Sequence, residues 1–387
     1  MRNRVLFLVL VFAAAASAQW VDTTLVVPGG PWRSCHNPTN DKVYCTVIDS
    51  TRVIVIDGAT NAVLATVPVG GDPQDVVYVP TNNQVYCCNA NGRSVTAIDG
   101  VTNNVTGTIM FGEYLWRLAY NSTNNKLYCH TTGGSGRVFV VDCASNTVVD
   151  TVAVGVDARV LLYSPVNNRL FCANRGDSSL TVIDGVTNDV ITTVRIGNNA
   201  EALCLDESRN RVWVANYDDS TVSVVDGAAG TVVATVTVGP DPTALCRDPL
   251  DDRVYVANHV GSAVTVVDCA TNTVLTQVSV GLSPSDVQYD PAGNRVYVAN
   301  RGGSSVSVID CGTNTVIATL PVGAQPYYLG LNPTDDKVYS GDRSSVTVIR
   351  TGAGIEETMN AEVRATNNGP TIVREVLMMG DRGSETV

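Results

Sequence analysis

Apolar and polar residues alternate along most of the chain in short runs, as in PSDVQYDP (284–291), RVYVAN (295–300), SVSVID (305–310) and TVIATLPVG (315–323). A period of two predicts β-strands, and the Gly, Asn, Asp and Ser clusters between the runs predict tight turns. The four runs recur as a unit. Strings ending in VID or VVD close at Asp57, Asp99, Asp142, Asp184, Asp226, Asp268 and Asp310, spaced 42, 43, 42, 42, 42 and 42 residues apart. A glycine after each fourth run keeps the same spacing at Gly70, Gly112, Gly155, Gly197, Gly239, Gly281 and Gly323. The single extra residue lies between Tyr128 and Asp142, in the stretch HTTGGSGR.

Four strands, here lettered a to d, in a period of about 40 to 45 residues predict a β-propeller blade. No 3.6-residue period supports a helical solenoid. Strand b begins at Val43, Val85, Leu127, Leu170, Val212, Val254, Val296 and Val338, which predicts eight blades. The eighth strand c ends at Arg350 with no strand d behind it, whereas VDTTLVVPGG (21–30) resembles VLATVPVGG (63–71) and stands alone. The N-terminal strand is therefore expected to complete the last blade and close the ring, leaving no open sheet edge between blades. The fold class is all-β, an eight-bladed propeller, with seven blades as the alternative.

Composition agrees. Valine occurs 66 times in 387 residues, a density of β-branched side chains that favours sheets. The formal charge of -12 disfavours nucleic acid as a partner, because a phosphate backbone would be repelled. At the N-terminus Arg2 and Arg4 precede an apolar run, Val5 to Ala16, followed by Ala16-Ser17-Ala18. That pattern predicts a signal peptide, residues 1–18, cleaved after Ala18, and the run falls short of the roughly 20 residues that span a bilayer. No later stretch predicts a transmembrane segment, so the expected location is secreted, cell-surface or periplasmic.

The units RVYVANRGGSSVSVIDCGTNTVIATLPVGAQP and RVYVANHVGSAVTVVDCATNTVLTQVSVGLSP resemble YVTN-type β-propeller repeats, found in bacterial extracytoplasmic proteins of the YncE-like class and in archaeal surface-layer proteins. The resemblance covers residues 21–350 and rests on scaffold residues. It implies a surface or periplasmic binding or scaffolding protein with no shared catalytic motif. Members are often seven-bladed, and the eight copies here depart from that. Beyond Arg350, residues 351–387 read as a linker and tail with one apolar stretch, PTIVREVLMM (370–379). The tail resembles the start of the C-terminal sorting domain of type IX secretion, truncated, since only 37 residues follow Arg350.

The recurring residues read as scaffold. The Asp closing strand c precedes a turn and is expected to accept turn N–H groups. The Asn of VYVAN begins the b-to-c turn, and the Gly after strand d is expected to supply turn geometry. Cys45, Cys87, Cys129 and Cys172 occupy a strand b position held by Val214, Val256 and Val298 in other copies, so most of the eleven cysteines read as small buried hydrophobes. One pair, Cys35 and Cys45, flanks a hairpin and stays open as a disulfide. His36, His130 and His259 lie in different blades without metal-ligand spacing, so no metal and no cofactor is expected.

A binding site in a repeat protein must come from positions where the copies differ. The two residues opening strand a read Trp32-Arg33, Gln74-Asp75, Trp116-Arg117, Arg159-Val160, Glu201-Ala202, Thr243-Ala244, Ser285-Asp286 and Tyr327-Tyr328. By analogy with propellers, strand a lines the central channel. Trp32, Arg33, Asp75, Trp116, Arg117, Arg159, Glu201, Asp286, Tyr327 and Tyr328 are thus expected to converge at the channel mouth. Aromatic faces stack on sugars and Arg forks hold carboxylates, so the partner class is a protein, a glycan or a small molecule. The alternative is a plug of side chains that pair with one another. Arg52, Arg93, Arg137, Arg175, Arg301 and Arg343 in the b-to-c loops read either as an anion-binding ring or as solvated loop residues.

The function expected is a non-enzymatic binding or interaction scaffold with no catalytic residue assigned. The alternatives are a lactonase- or lyase-like propeller enzyme using Arg117, Arg159, Glu201 and His130, or a structural surface-layer component.

Overall fold

A computed structural model of the protein describes residues 19–134 and 136–352. The expected signal peptide and the tail from residue 353 lie outside the described residues. The described chain forms eight separate four-stranded antiparallel sheets, arranged as an eight-bladed propeller. Trp20–Val26 is the outer strand of the last blade, where it pairs antiparallel with Ser345–Arg350. Asp22 adds an ion pair to Arg350 at 3.2 Å, and Val27 N–H donates to Ser344 O at 2.8 Å. The ring thus closes without a covalent bond. Among the described residues no helix is long and apolar enough to cross a membrane.

Burial follows position in the blade. Strand b, for example Arg253–Asn258, and strand c, for example Ala263–Asp268, are buried along nearly their whole length because neighbouring blades cover both of their faces. Strand d, for example Thr273–Ser279, leaves most of its residues exposed at the outer edge. The large core residue of each blade is the third of strand b: Tyr44, Tyr86, Tyr128, Phe171, Trp213, Tyr255, Tyr297 and Tyr339, all without solvent exposure. Where this residue is Tyr, its hydroxyl can reach the next blade. Tyr44 Oη donates to Asn103 Oδ1 at 2.9 Å, Tyr86 to Asn146 at 2.7 Å and Tyr255 to Asn314 at 2.9 Å.

The first residue of strand b clamps the same turn. Lys42 Nζ donates to Val101 O at 2.7 Å and Asn103 Oδ1 at 3.0 Å; Arg211 reaches Cys269 O and Asn272 Oδ1, both at 3.2 Å. At the closing seam Lys337, fully buried, donates to Ala59 O at 2.8 Å and Asn61 Oδ1 at 3.0 Å. The Asn receiving these bonds has a left-handed backbone, φ +60° at Asn103 and +62° at Asn61, a conformation Asn tolerates better than most residues.

The Asp closing strand c forms the expected turn. Asp99 Oδ1 accepts from Val101 N at 3.0 Å and Thr102 N at 2.7 Å, and Asp184 Oδ1 from Val186 N at 2.8 Å and Thr187 N at 3.0 Å. These hydrogen bonds hold both carboxyls below their usual range.

The glycines after strand d serve a different purpose from the one expected. Gly70, Gly155, Gly197, Gly239 and Gly281 do not have positive φ. Each instead packs on the buried Asn that ends strand b of the next blade: a Cβ on Gly239 would lie 2.6 Å from Asn258 Cγ. That Asn in turn ties strand b to strand c, Asn258 Nδ2 donating to Thr265 Oγ1 at 2.8 Å. Gly112 is the exception. The corresponding strand b residue is Thr131, nothing lies within 4 Å of the Cβ position, and φ is +76°.

All eleven cysteines are free, including Cys35 and Cys45. In the hairpin Cys35 lies opposite Tyr44 and Cys45 opposite Ser34, a one-residue offset that sends the two thiols to opposite faces of the sheet. Cys45 packs in the cluster with Val346 and Tyr339, Cys35 against the cluster with Val76 and Val85. Burial pushes the Cys45 and Cys143 thiols up to about 12.

Two outcomes follow. Gly239→Ala is expected to lower unfolding stability by about 1–3 kcal/mol by overpacking Asn258. Gly312→Ala, where the nearest atom is 3.5 Å away, is expected to change it little; denaturant melts compare the two. Thiol titration should find eleven reactive groups in the denatured, unreduced protein and few in the native one, and a count of nine in the denatured protein would contradict the register of the first hairpin.

Candidate ligand site at the channel mouth

The residue that opens the channel is set off from its strand by a bulge. In blades two to seven the a-to-b ladder skips between the first and third residues of strand a, for example between Leu115 and Arg117 or Pro284 and Asp286, and in blade one it skips from Pro31 to Ser34, so that Trp32 and Arg33 both lie within the irregularity. The bulged residue is left unpaired and its side chain is re-aimed. The second and third positions therefore diverge, and the ten sequence-predicted residues separate into distinct groups.

The third positions, with Glu201, converge inside the channel. Arg33, Asp75, Arg117, Glu201 and Asp286 line a chamber of about 250 Å³ together with Thr243, Ser285 and the apolar residues Leu118, Leu161, Leu203 and Leu245. The carboxylates there are engaged. Asp75 Oδ2 accepts from Leu118 N at 2.9 Å, and Asp286 Oδ2 accepts from Leu329 N at 2.8 Å while Oδ1 accepts from Val287 N at 3.0 Å. Glu201 pairs with Arg159 at 2.9 Å and Arg175 at 3.6 Å. The guanidiniums are less satisfied. Arg117 approaches Asp75 only to 3.9 Å, and its Nη1 is buried without a hydrogen-bond partner. Burial, reinforced by the like charge of Arg33, pulls Arg117 down to about 9, and burial raises Asp286.

Trp32 and Tyr327 meet on the rim, between the last blade and the first, with ring centroids 5.0 Å apart at 49°. They bound a cleft of about 430 Å³ with Gly29, Gly30, Pro31, Ile48, Asp49 and Arg343. Arg301 lies 4.7 Å over the Tyr327 ring, and Arg343 Nε donates to Tyr327 Oη at 3.3 Å. Trp116 stands apart, under Arg159 at 5.4 Å. The aromatics therefore do not form one plug. Tyr328 does not join either group: it is 2% exposed, and its ring lies over Gly341, where a Cβ would collide with it.

The loop arginines reach neighbouring elements instead of forming an open ring. Arg137 pairs with Glu113 at 2.5 Å, Arg175 with Asp157 at 2.8 Å, Arg93 lies 4.7 Å over Tyr114, and Arg52 donates to Pro28 O. His130 is fully buried, its Nδ1 3.2 Å from Thr131 O and its Nε2 unpartnered. Buried His130 and doubly paired Glu201 are poorly placed to serve as free general bases. On the opposite face Asp206, Asp252 and Cys269 bring ligand atoms within 4.8 Å of one another. Arg209 and Arg247 already bridge those two carboxylates, each reaching Asp252 at 2.5 Å.

The fourth-position apolar floor, Leu118, Leu161, Leu203 and Leu245, went unnoticed in the sequence, although the column is apolar in most copies and one further step along strand a reveals it.

No protein-family model matches the chain, and no curated protein matches it. Among solved structures it is similar to Kuenenia stuttgartiensis hydrazine synthase, with a TM-score of 0.60 and 18% sequence identity over 73% of this chain and 96% of that one. At that identity the likeness establishes the propeller fold and nothing about chemistry.

The His130 site carries a pH dependence. Burial pushes His130 down to about 4, below the ordinary imidazole value near 6.5. The unfolded chain then takes up a proton that the folded chain refuses, so this contribution is complete above about pH 6.5 and is lost as pH falls through about 4, by about 3 kcal/mol. His130→Ala, the residue found in this column at Ala173, Ala215, Ala257 and Ala299, is expected to remove that part of the acid sensitivity. Denaturant melts at pH 7 and pH 4 measure it; an unchanged difference between wild type and variant would refute it.

Proposed function

We propose that the protein is an exported β-propeller of the YVTN, YncE-like type that acts as a binding scaffold at the cell surface or in the periplasm, engaging its ligand on the channel-mouth face. Export rests on the leader pattern of residues 1–18, and the repeat type rests on the RVYVAN and SVSVID units. One observation carries the binding reading: Trp32 and Tyr327 form a tilted aromatic pair beside an open cleft of about 430 Å³ and are not sealed into a plug. Two aromatic faces flanked by Arg343 and Asp49 suit a sugar ring, which stacks its apolar face on the rings and gives its hydroxyls to the charged groups. A glycan is therefore the ligand class favoured at the rim.

Titration of the full-length chain with a panel of bacterial-surface oligosaccharides, followed by tryptophan fluorescence, tests the reading. At least one glycan is expected to bind in the micromolar to millimolar range, and Trp32→Ala and Tyr327→Ala are each expected to weaken it about tenfold or more, in line with losing a stacking face and its buried area. Equal binding by wild type and both folded variants would remove the rim cleft as the site.

A further inference from the structure

The chamber below the rim has an imbalance that the rim cleft lacks. Five formal charges line it, Arg33, Asp75, Arg117, Glu201 and Asp286; Glu201 is paired with Arg159, and by count the other four cancel. By hydrogen bonding they do not. Three carboxylate oxygens, both of Asp286 and one of Asp75, accept backbone N–H groups, two of them from the inner strand of the following blade. Those bonds fasten adjacent blades. The two guanidiniums receive little in return: among the described residues Arg33 makes no side-chain hydrogen bond and no ion pair within 4.0 Å, and Arg117 has one contact at 3.9 Å and a buried, unpartnered Nη1. A guanidinium carries five N–H donors in a planar fork matched to a carboxylate, and a buried donor without a partner costs free energy until one arrives.

The other groups around the chamber do not supply that partner. Glu201 is held by Arg159 and Arg175. Thr243 Oγ1 donates to Pro284 O at 3.3 Å and Ser285 Oγ to Pro326 O at 2.9 Å. The leucine floor offers no polar atom. The like charge of Arg33 is the second cause, after burial, of the shift at Arg117, so two cations face one cavity with their donors open. Its volume of about 250 Å³ lies just below the range of about 300–1,000 Å³ found for drug-sized ligands, which restricts the occupant to a small molecule.

We propose that the channel chamber is a carboxylate-binding site, in which Arg33 and Arg117 grip a small organic acid over the Leu118, Leu161, Leu203 and Leu245 floor. This rests on the reading of the channel-mouth face as the binding face, but it concerns a different cavity from the glycan cleft. The two forks favour a carboxylate, the small volume a short body, and the carboxylates spent on backbone amides keep the blades in place whether or not the site is filled.

Calorimetric titration of the full-length protein with succinate, and with its neutral isostere succinamide, tests the proposal. Succinate is expected to bind and to raise Tm, and succinamide to do neither. Arg33→Gln, at a residue only partly buried and bonded to nothing through its side chain, is expected to keep the wild-type fold and lose succinate affinity roughly tenfold or more, while Arg33→Lys retains part of it. Trp32→Ala is expected to leave succinate affinity unchanged, which separates this site from the rim. No succinate binding by the folded wild type, equal binding by Arg33→Gln, or equal binding of succinamide would each overturn the proposal, whatever the glycan titration shows.

Discussion

Neighbouring blades share no β-ladder, so beyond the chain links between them and the backbone bonds those links make, what keeps eight sheets in one ring passes through side chains. The decisive contact is the one between the start of strand b and the c-to-d turn of the next blade. There the cationic head of Lys42, Lys126, Arg211, Arg253 or Lys337 and, in several blades, a tyrosine hydroxyl meet the side chain of an Asn held in left-handed conformation. The turn Asp fixes the loop that presents this Asn, and the glycine of the d-to-a link lets a second Asn tuck beneath it. Each device is small, of the order of one hydrogen bond, about 1 kcal/mol net. Repeated around the ring they position the inner strands closely enough for side chains of seven blades to share one chamber.

That dependence explains why the scaffold and the site obey opposite rules. Positions in the clamp recur with the repeat because every seam poses the same geometric problem. Positions at and just after the bulge vary because a residue facing the channel or its rim meets no such requirement, and its identity is set by what stands across the opening. The two carboxylates at this level belong partly to both worlds: Asp75 and Asp286 face the chamber, yet their oxygens brace the neighbouring blade. Arg33 has no such second duty.

Much of the architecture was legible in the sequence. The missing strand d after Arg350 and its spare copy near Val21 are a matter of counting, and the ring closes as that count requires. Candidate site residues were legible as a column of unlike residues, but their arrangement was not. A bulge leaves no trace in residue identity, so the separation of Trp32 and Tyr327 from Arg33 and Arg117, and the withdrawal of Tyr328 into the core, had to be seen in three dimensions. The same holds for Gly239, whose identity signals a constraint without saying whether φ or close approach imposes it, and for Cys35 and Cys45, where a one-residue register decides which faces the thiols occupy.

Ring closure by the first strand has a consequence for how the molecule comes to exist. Thr24 and Thr347, whose hydroxyls lie 3.5 Å apart across the last blade, are separated by 323 residues of chain. Contacts within blades are local and can form as each hairpin is made, but this one must wait for the whole chain. Contacts so distant in sequence slow folding, because loop-closure entropy is lost before the contact rewards it. Seven blades can therefore assemble as an open arc, growing in either direction by nearest-neighbour seams, with cooperativity arriving only when the eighth seam converts the arc into a ring. Of the eight seams this one closes the longest loop, and only its formation turns an open arc into a ring.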